Sequence, residues 1–163
     1  MNQKIRNTLL TWAGVLAFYF GLQFFVDRNL PTGQPPAIAG ATLDGKPFEL
    51  SQLRGKPAVV YFWASWCGIC SAMRSSIQSV AGDHPLVSVA VQSGDAAEVT
   101  KYQEENGFHP ATVLDEEGSI SKQYGLKGVP ALFVLDPAGN IRFSSVGFTS
   151  ELGVRARLWL AGR

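Results

Sequence analysis

Apolar residues gather along this chain in runs of two lengths, and the two lengths predict different structures. Residues 8–26 carry no ionisable side chain other than Tyr19 and are rich in Leu, Phe, Val and Ala. A helix needs about 20 such residues to cross a hydrocarbon layer about 30 Å thick, so this stretch predicts one transmembrane helix. The later runs are much shorter. Ala58 to Trp63 and Leu86 to Val91 are almost wholly apolar and rich in β-branched and aromatic residues, which predicts buried strands covered on both faces. Leu132 to Leu135 and Ile141 to Val146 read as antiparallel strands joined by the turn Asp136-Pro137-Ala138-Gly139-Asn140.

Helical signals alternate with these strands. Ser71 to about Val80 can follow the first core strand as a helix. Asp95-Ala96-Ala97-Glu98 has the spacing of a capping box and opens a helix that ends near Asn106-Gly107. Thr112 to Leu114 predicts a short strand, and Glu117 to Tyr124 a short helix closed by Gly125. Thr149 to Ala161 predicts a closing helix with Leu152, Ala156 and Trp159 on one face. Ahead of all these, Thr42 to Phe48 reads as a hairpin turning at Asp44-Gly45, and Ser51 to Arg54 as one helical turn. The order is a hairpin, a βαβ unit, an inserted αβ and a ββα, which belongs to the α/β class.

The expected organisation is a cytoplasmic N-terminus (1–7), a transmembrane anchor (8–26), a linker (27–41) and one folded domain (42–163). Pro31, Gly33, Pro35 and Pro36 make the linker semi-rigid, with a reach of roughly 30 Å if extended. Lys4 and Arg6 precede the apolar span, so the positive-inside rule leaves the N-terminus in the cytoplasm and the domain outside. The alternative is a cleaved signal peptide, but Ala37-Ile38-Ala39, which resembles a cleavage site, lies far beyond the apolar stretch. The net charge of +1 over 163 residues gives no reason to expect nucleic acid.

The candidate chemistry lies in Trp66-Cys67-Gly68-Ile69-Cys70, which holds both cysteines of the chain. A purely structural disulfide closing so short a loop would stabilise by only about 2 kcal/mol, against about 3 kcal/mol for fifteen residues. Structural zinc needs about four ligands, and His84 and His109 are too far apart for a metal-binding histidine pair. Haem attachment needs a histidine where Ser71 stands. Redox exchange fits better. A cysteine at a helix start meets unpaired N–H groups and the positive end of the helix dipole. Both favour the thiolate, which is the nucleophile. In an oxidising compartment such a pair needs a partner that supplies or removes electrons. No cofactor and no metal are expected.

The run Trp63-Ala64-Ser65-Trp66-Cys67, with Gly128-Val129-Pro130 before the late hairpin, resembles the thioredoxin fold. It is most similar to the membrane-anchored bacterial TlpA/ResA/DsbE-like branch, and within it to ScsD-type protein disulfide oxidoreductases. The resemblance covers roughly residues 35–163. It implies a central mixed β-sheet flanked by helices, with Cys67 attacking and Cys70 resolving. Pro130 would be a cis proline beside the disulfide. Trp66, Gly68, Ile69, Val129 and Pro130 would meet the substrate, with the Val129 backbone pairing with the substrate peptide. Trp63 is expected to be core. The resemblance also implies a periplasmic location, protein thiol or disulfide substrates, and a DsbD- or ScsB-like membrane electron donor, which favours reduction. Three acidic positions of the relatives are filled here by Tyr61, Met73 and Ala131, so the usual proton acceptors for Cys70 are missing. The competing class is a copper-binding thioredoxin-fold module. It would recruit His84 or His109 as a third ligand beside the thiolates, but such Sco-type proteins space their cysteines by three residues. A peroxidase reading lacks a recognisable peroxidatic cysteine with its flanking residues.

Overall fold

The computed structural model describes residues 3, 7, 11, 12, 14, 15 and 30–163. The expected span over 8–26 lies outside the described residues except for Thr11, Trp12, Gly14 and Val15, which are helical. Among the described residues, no helix is long and apolar enough to cross a membrane.

Among the described residues from 30 onward, eleven elements and one 3-10 turn follow the predicted order. Strands β1 (Ala39–Ala41) and β2 (Pro47–Glu49) form a hairpin ahead of the 3-10 turn Leu50–Leu53. Then come β3 (Ala58–Trp63), α1 (Gly68–Asp83), β4 (Leu86–Val91) and α2 (Ala96–Asn106). They are followed by β5 (Ala111–Asp115), α3 (Ser119–Gln123), β6 (Ala131–Leu135), β7 (Ile141–Val146) and α4 (Glu151–Ala161). The main sheet has the order β5-β4-β3-β6-β7. β3, β4 and β5 run parallel, while β6 and β7 run antiparallel to their neighbours. This is the mixed central sheet that the resemblance implies.

β3 is central and every residue of it is buried, which explains its uninterrupted apolar run. Alternate side chains serve two cores. Val59, Tyr61 and Trp63 pack with Met73, Ile77 and Val80 of α1 and with Val154 and Leu158 of α4. Ala58, Val60 and Phe62 pack on the opposite face with Tyr124, Phe133 and Ile38. The predicted capping box is present at α2: Asp95 accepts from the Glu98 N–H, and Glu98 accepts from the Asp95 N–H. Gly107 closes that helix at φ 58°, a left-handed conformation that glycine adopts without a Cβ clash.

Three expectations need correction. The hairpin strands flank the turn more widely than Thr42 to Phe48, because Thr42 and Lys46 close the turn themselves: the Thr42 N–H donates to the Lys46 carbonyl at 2.9 Å. The second concerns the linker, whose residues from Leu30 onward pack on the domain. Leu30 and Ile38 are buried, Ile141 N–H donates to the Gly33 carbonyl, and the Tyr124 hydroxyl donates to the Pro36 carbonyl at 2.9 Å. The third is the face of α4. Val154, Leu158 and Ala161 are buried, whereas Leu152 and Trp159 are 78% and 58% exposed. Two apolar stripes of the same period share this helix, and periodicity alone does not choose between them.

Candidate active site

The site forms where β3 ends and α1 begins. Cys67 is the N-cap of α1, with an extended backbone at φ −90° and ψ 109°. Its Sγ accepts a hydrogen bond from the Cys70 N–H at 3.1 Å. Sulfur thus takes the place that a serine or aspartate oxygen takes at an ordinary helix start. The first turn of α1 contains no acidic residue, so nothing there opposes negative charge on that sulfur. Cys67 and Cys70 are joined as a disulfide, with their Cα atoms 5.2 Å apart, and both residues are buried.

The chain returns to this point 62 residues later. The Val129–Pro130 peptide bond is cis, and the Val129 carbonyl oxygen lies 3.7 Å from Cys67 Sγ. Pro130 is buried, while Val129 is partly exposed. The Pro130 carbonyl accepts from the Gly147 N–H at 2.8 Å, which ties the segment to the end of β7. Trp66 is 64% exposed, and its indole N–H donates to the Gln92 carbonyl at 3.0 Å. A cleft runs from Trp66 past Gln92, Glu117 and Lys122 to Lys127 and Val129. Gly68 and Ile69 are exposed on the first turn of α1. All seven candidate residues therefore lie around one disulfide.

Trp63 is core, as expected. Its ring meets Phe108 edge-on at 5.1 Å and lies 5.2 Å from Tyr102. Its indole N–H donates to Ser88 Oγ at 3.0 Å, and Ser88 continues to Thr112 and Gln103. Sequence reasoning missed this polar chain, and also missed Gln92 and Ser93. Ser93 Oγ accepts from the Ser65 N–H at 3.0 Å and steadies the loop before Cys67. A signal was available: β4 runs parallel to β3, so residues just after its carboxyl end must border the loop that follows β3.

The three positions that lack an acid are Tyr61, Met73 and Ala131, and all are buried. Burial pushes the Tyr61 phenol well above its ordinary range. The one buried carboxylate among the described residues, Asp115, accepts from the N–H groups of Ile120 and Ser121 at 2.9 and 2.8 Å and so orders the start of α3. His84 caps the far end of α1, roughly 24 Å from the cysteines at 1.5 Å per residue. His109 is exposed, with its backbone N–H donating to Gln78. Among the described residues, no group of three or more His, Cys, Asp or Glu side chains is arranged to hold a metal ion.

Residues 31–144 match the AhpC/TSA family. The chain is 33% identical over 139 residues to the thioredoxin-like protein of Haemophilus influenzae, covering 84% of this chain and 83% of that protein. It is 30% identical over 160 residues to the thiol:disulfide interchange protein DsbE of Pseudomonas fluorescens, covering 88% of this chain and 84% of that one. Among solved structures, it resembles a secreted disulfide oxidoreductase of Mycobacterium tuberculosis homologous to DsbE. That match has a TM-score of 0.66 at 26% identity and covers 76% of this chain and 95% of the other.

Proposed function

Because the chain belongs to the AhpC/TSA family of thioredoxin-like proteins and is a thiol-disulfide oxidoreductase of the DsbE and ResA type, we propose that it works tethered to the outer side of the cytoplasmic membrane and reduces disulfides in exported proteins. The observation that carries the catalytic part is the seat of Cys67 Sγ. It lies at a helix start, within hydrogen-bond reach of the Cys70 N–H, and 3.7 Å from the Val129 carbonyl.

In the reduced protein, the Cys67 thiolate attacks one sulfur of a substrate disulfide. A Cys67–substrate disulfide forms and the second substrate sulfur leaves as thiolate. Cys70 then loses its proton and attacks Cys67 Sγ. The mixed bond breaks, the substrate leaves as a thiol, and two electrons have passed from the protein to the substrate. Trp66, Gly68, Ile69, Val129 and Pro130 form the surface the substrate peptide meets, with the Val129 backbone as its docking edge. Electrons return from a membrane protein of the DsbD or ScsB kind. The apolar span over 8–26 and the preceding Lys4 and Arg6 support the tether and its orientation.

The deciding measurement is the equilibrium of the full-length protein with glutathione redox couples. A potential near that of thioredoxin, about −270 mV, supports a reductase, and one near about −120 mV reverses the direction.

A further inference from the structure

Tyr61 lies in the middle of β3 and has no solvent exposure. Its hydroxyl has no hydrogen-bond partner, alone among the buried side-chain polar atoms of the described residues. A buried donor left unsatisfied is costly, so its position calls for an explanation. Tyr61, Trp63, Cys70, Arg74, Tyr102 and Phe108 line a narrow gap with no room for a water molecule. No carboxylate lines this gap. Its one charged side chain is Arg74, one turn beyond Cys70, held by the neutral Tyr102 hydroxyl and Asn106 side chain. The flanking elements add no further charge: Ser88 of β4 and Leu132 of β6 are the register partners of Tyr61, and α4 contributes Val154 and Leu158.

Cys70 is the one sulfur bordering this gap. In the disulfide, that sulfur is a weak acceptor. After reduction it becomes a thiol or thiolate, and the thiolate is a strong acceptor. We infer that the Tyr61 hydroxyl is held in reserve for the reduced protein, where it donates a hydrogen bond to Cys70 Sγ and stabilises the thiolate that resolves the mixed disulfide. The tyrosine keeps its own proton and is a donor, not a base. The Cys70 proton passes to the departing substrate thiolate, directly or through solvent at the mouth of the site. Overall, Cys70–SH and the Cys67–substrate disulfide become the Cys67–Cys70 disulfide and a substrate thiol.

This inference rests on the exchange chemistry proposed above, and Tyr61→Phe in the full-length protein tests it. A hydrogen bond to a charged group is strong enough to shift an equilibrium roughly tenfold. In a Cys67→Ser background, Tyr61→Phe should therefore move the alkylation midpoint of Cys70 upward by about one pH unit. With both cysteines present and at a pH above the Cys70 midpoint, the glutathione equilibrium should move about tenfold towards the disulfide, or about 30 mV more negative. The first attack by Cys67 should keep its rate. Melting of the oxidised protein should stay the same or rise, since the hydroxyl lost there was unpartnered. In the unaltered protein, the Tyr61 Cζ resonance should move on reduction. An unchanged Cys70 midpoint and potential overturn the inference, as does a lower melting temperature of the oxidised variant. If the unaltered protein exchanges with no disulfide at all, the proposed function falls with it; if it exchanges and the variant matches it, only the role of Tyr61 falls.

Discussion

At the scale of single residues, the two cysteines are chemically unequal although the sequence writes them alike. Cys67 Sγ receives a backbone N–H at 3.1 Å and sits at the helix terminus, whereas Cys70 lies a turn inside, facing Tyr61 and Trp63. Cys67 should therefore be the reactive thiol, with a pKa below the ordinary value of about 8.5. Alkylation of the reduced protein as a function of pH reads this directly, and faster labelling of Cys70 would reverse the assignment. Sequence made the pair legible because a strand end, a CxxC and a helix start are contiguous. It did not show the contact with Val129, because residue 129 reaches the site only through the antiparallel pairing of β6 with β3. That contact was legible only through family resemblance. The idle hydroxyl of Tyr61 was not legible at all, since an unpartnered donor is a property of packing.

Among the elements, α4 shows where pattern reading reaches its limit. Leu152, Ala156 and Trp159 recur at helical spacing, and so do Val154, Leu158 and Ala161. The second set is buried because it meets α1 and β6. Leu158→Ala should thus cost about 2–5 kcal/mol in urea unfolding, while Leu152→Ser should change stability by less than about 0.5 kcal/mol. Equal losses at the two positions would restore the face expected from sequence. The same helix is pinned to α1 by Arg155, which reaches Glu151 and Asp83, both at 2.8 Å. Hydrogen bonds from Arg155 and then Ser79 hold the Glu151 carboxyl below its ordinary value. A carboxyl depressed by folding stabilises the fold above its unfolded pKa, and that contribution is lost as pH falls through the folded value. Unfolding of Arg155→Ala and of the parent should therefore converge in acid and diverge towards neutral pH, with the gap narrowed by salt.

For the whole molecule, the question is where the working domain begins. Composition read residues 27–41 as spacer because proline and glycine are dense there, and the same residues suit an extended segment that lies along a surface. From Leu30 on, the structure uses them in that second way. Gly33 pairs with Ile141 at the sheet edge, Pro36 accepts from Tyr124, Ile38 is 1% exposed in the core opposite α1, and β1 completes the hairpin. Two truncations separate these parts. A chain beginning at Asn29 keeps every one of those contacts, so it should melt like the full-length protein and exchange with glutathione at the same rate. A chain beginning at Thr42 loses Ile38, β1 and the Tyr124 acceptor. The lost Ile38 packing alone should cost at least about 2 kcal/mol, read as a lower urea midpoint. If the shorter chain is as stable as the longer one, residues 30–41 are a spacer after all. The longer chain also tests the tether. If the proposed membrane donor is its source of electrons, this chain, released from residues 1–28, keeps its chemistry but should accumulate in cells as the disulfide. Trapping free thiols at harvest measures that fraction, and a released domain that stays as reduced as the full-length protein would show that electrons reach it without the membrane span.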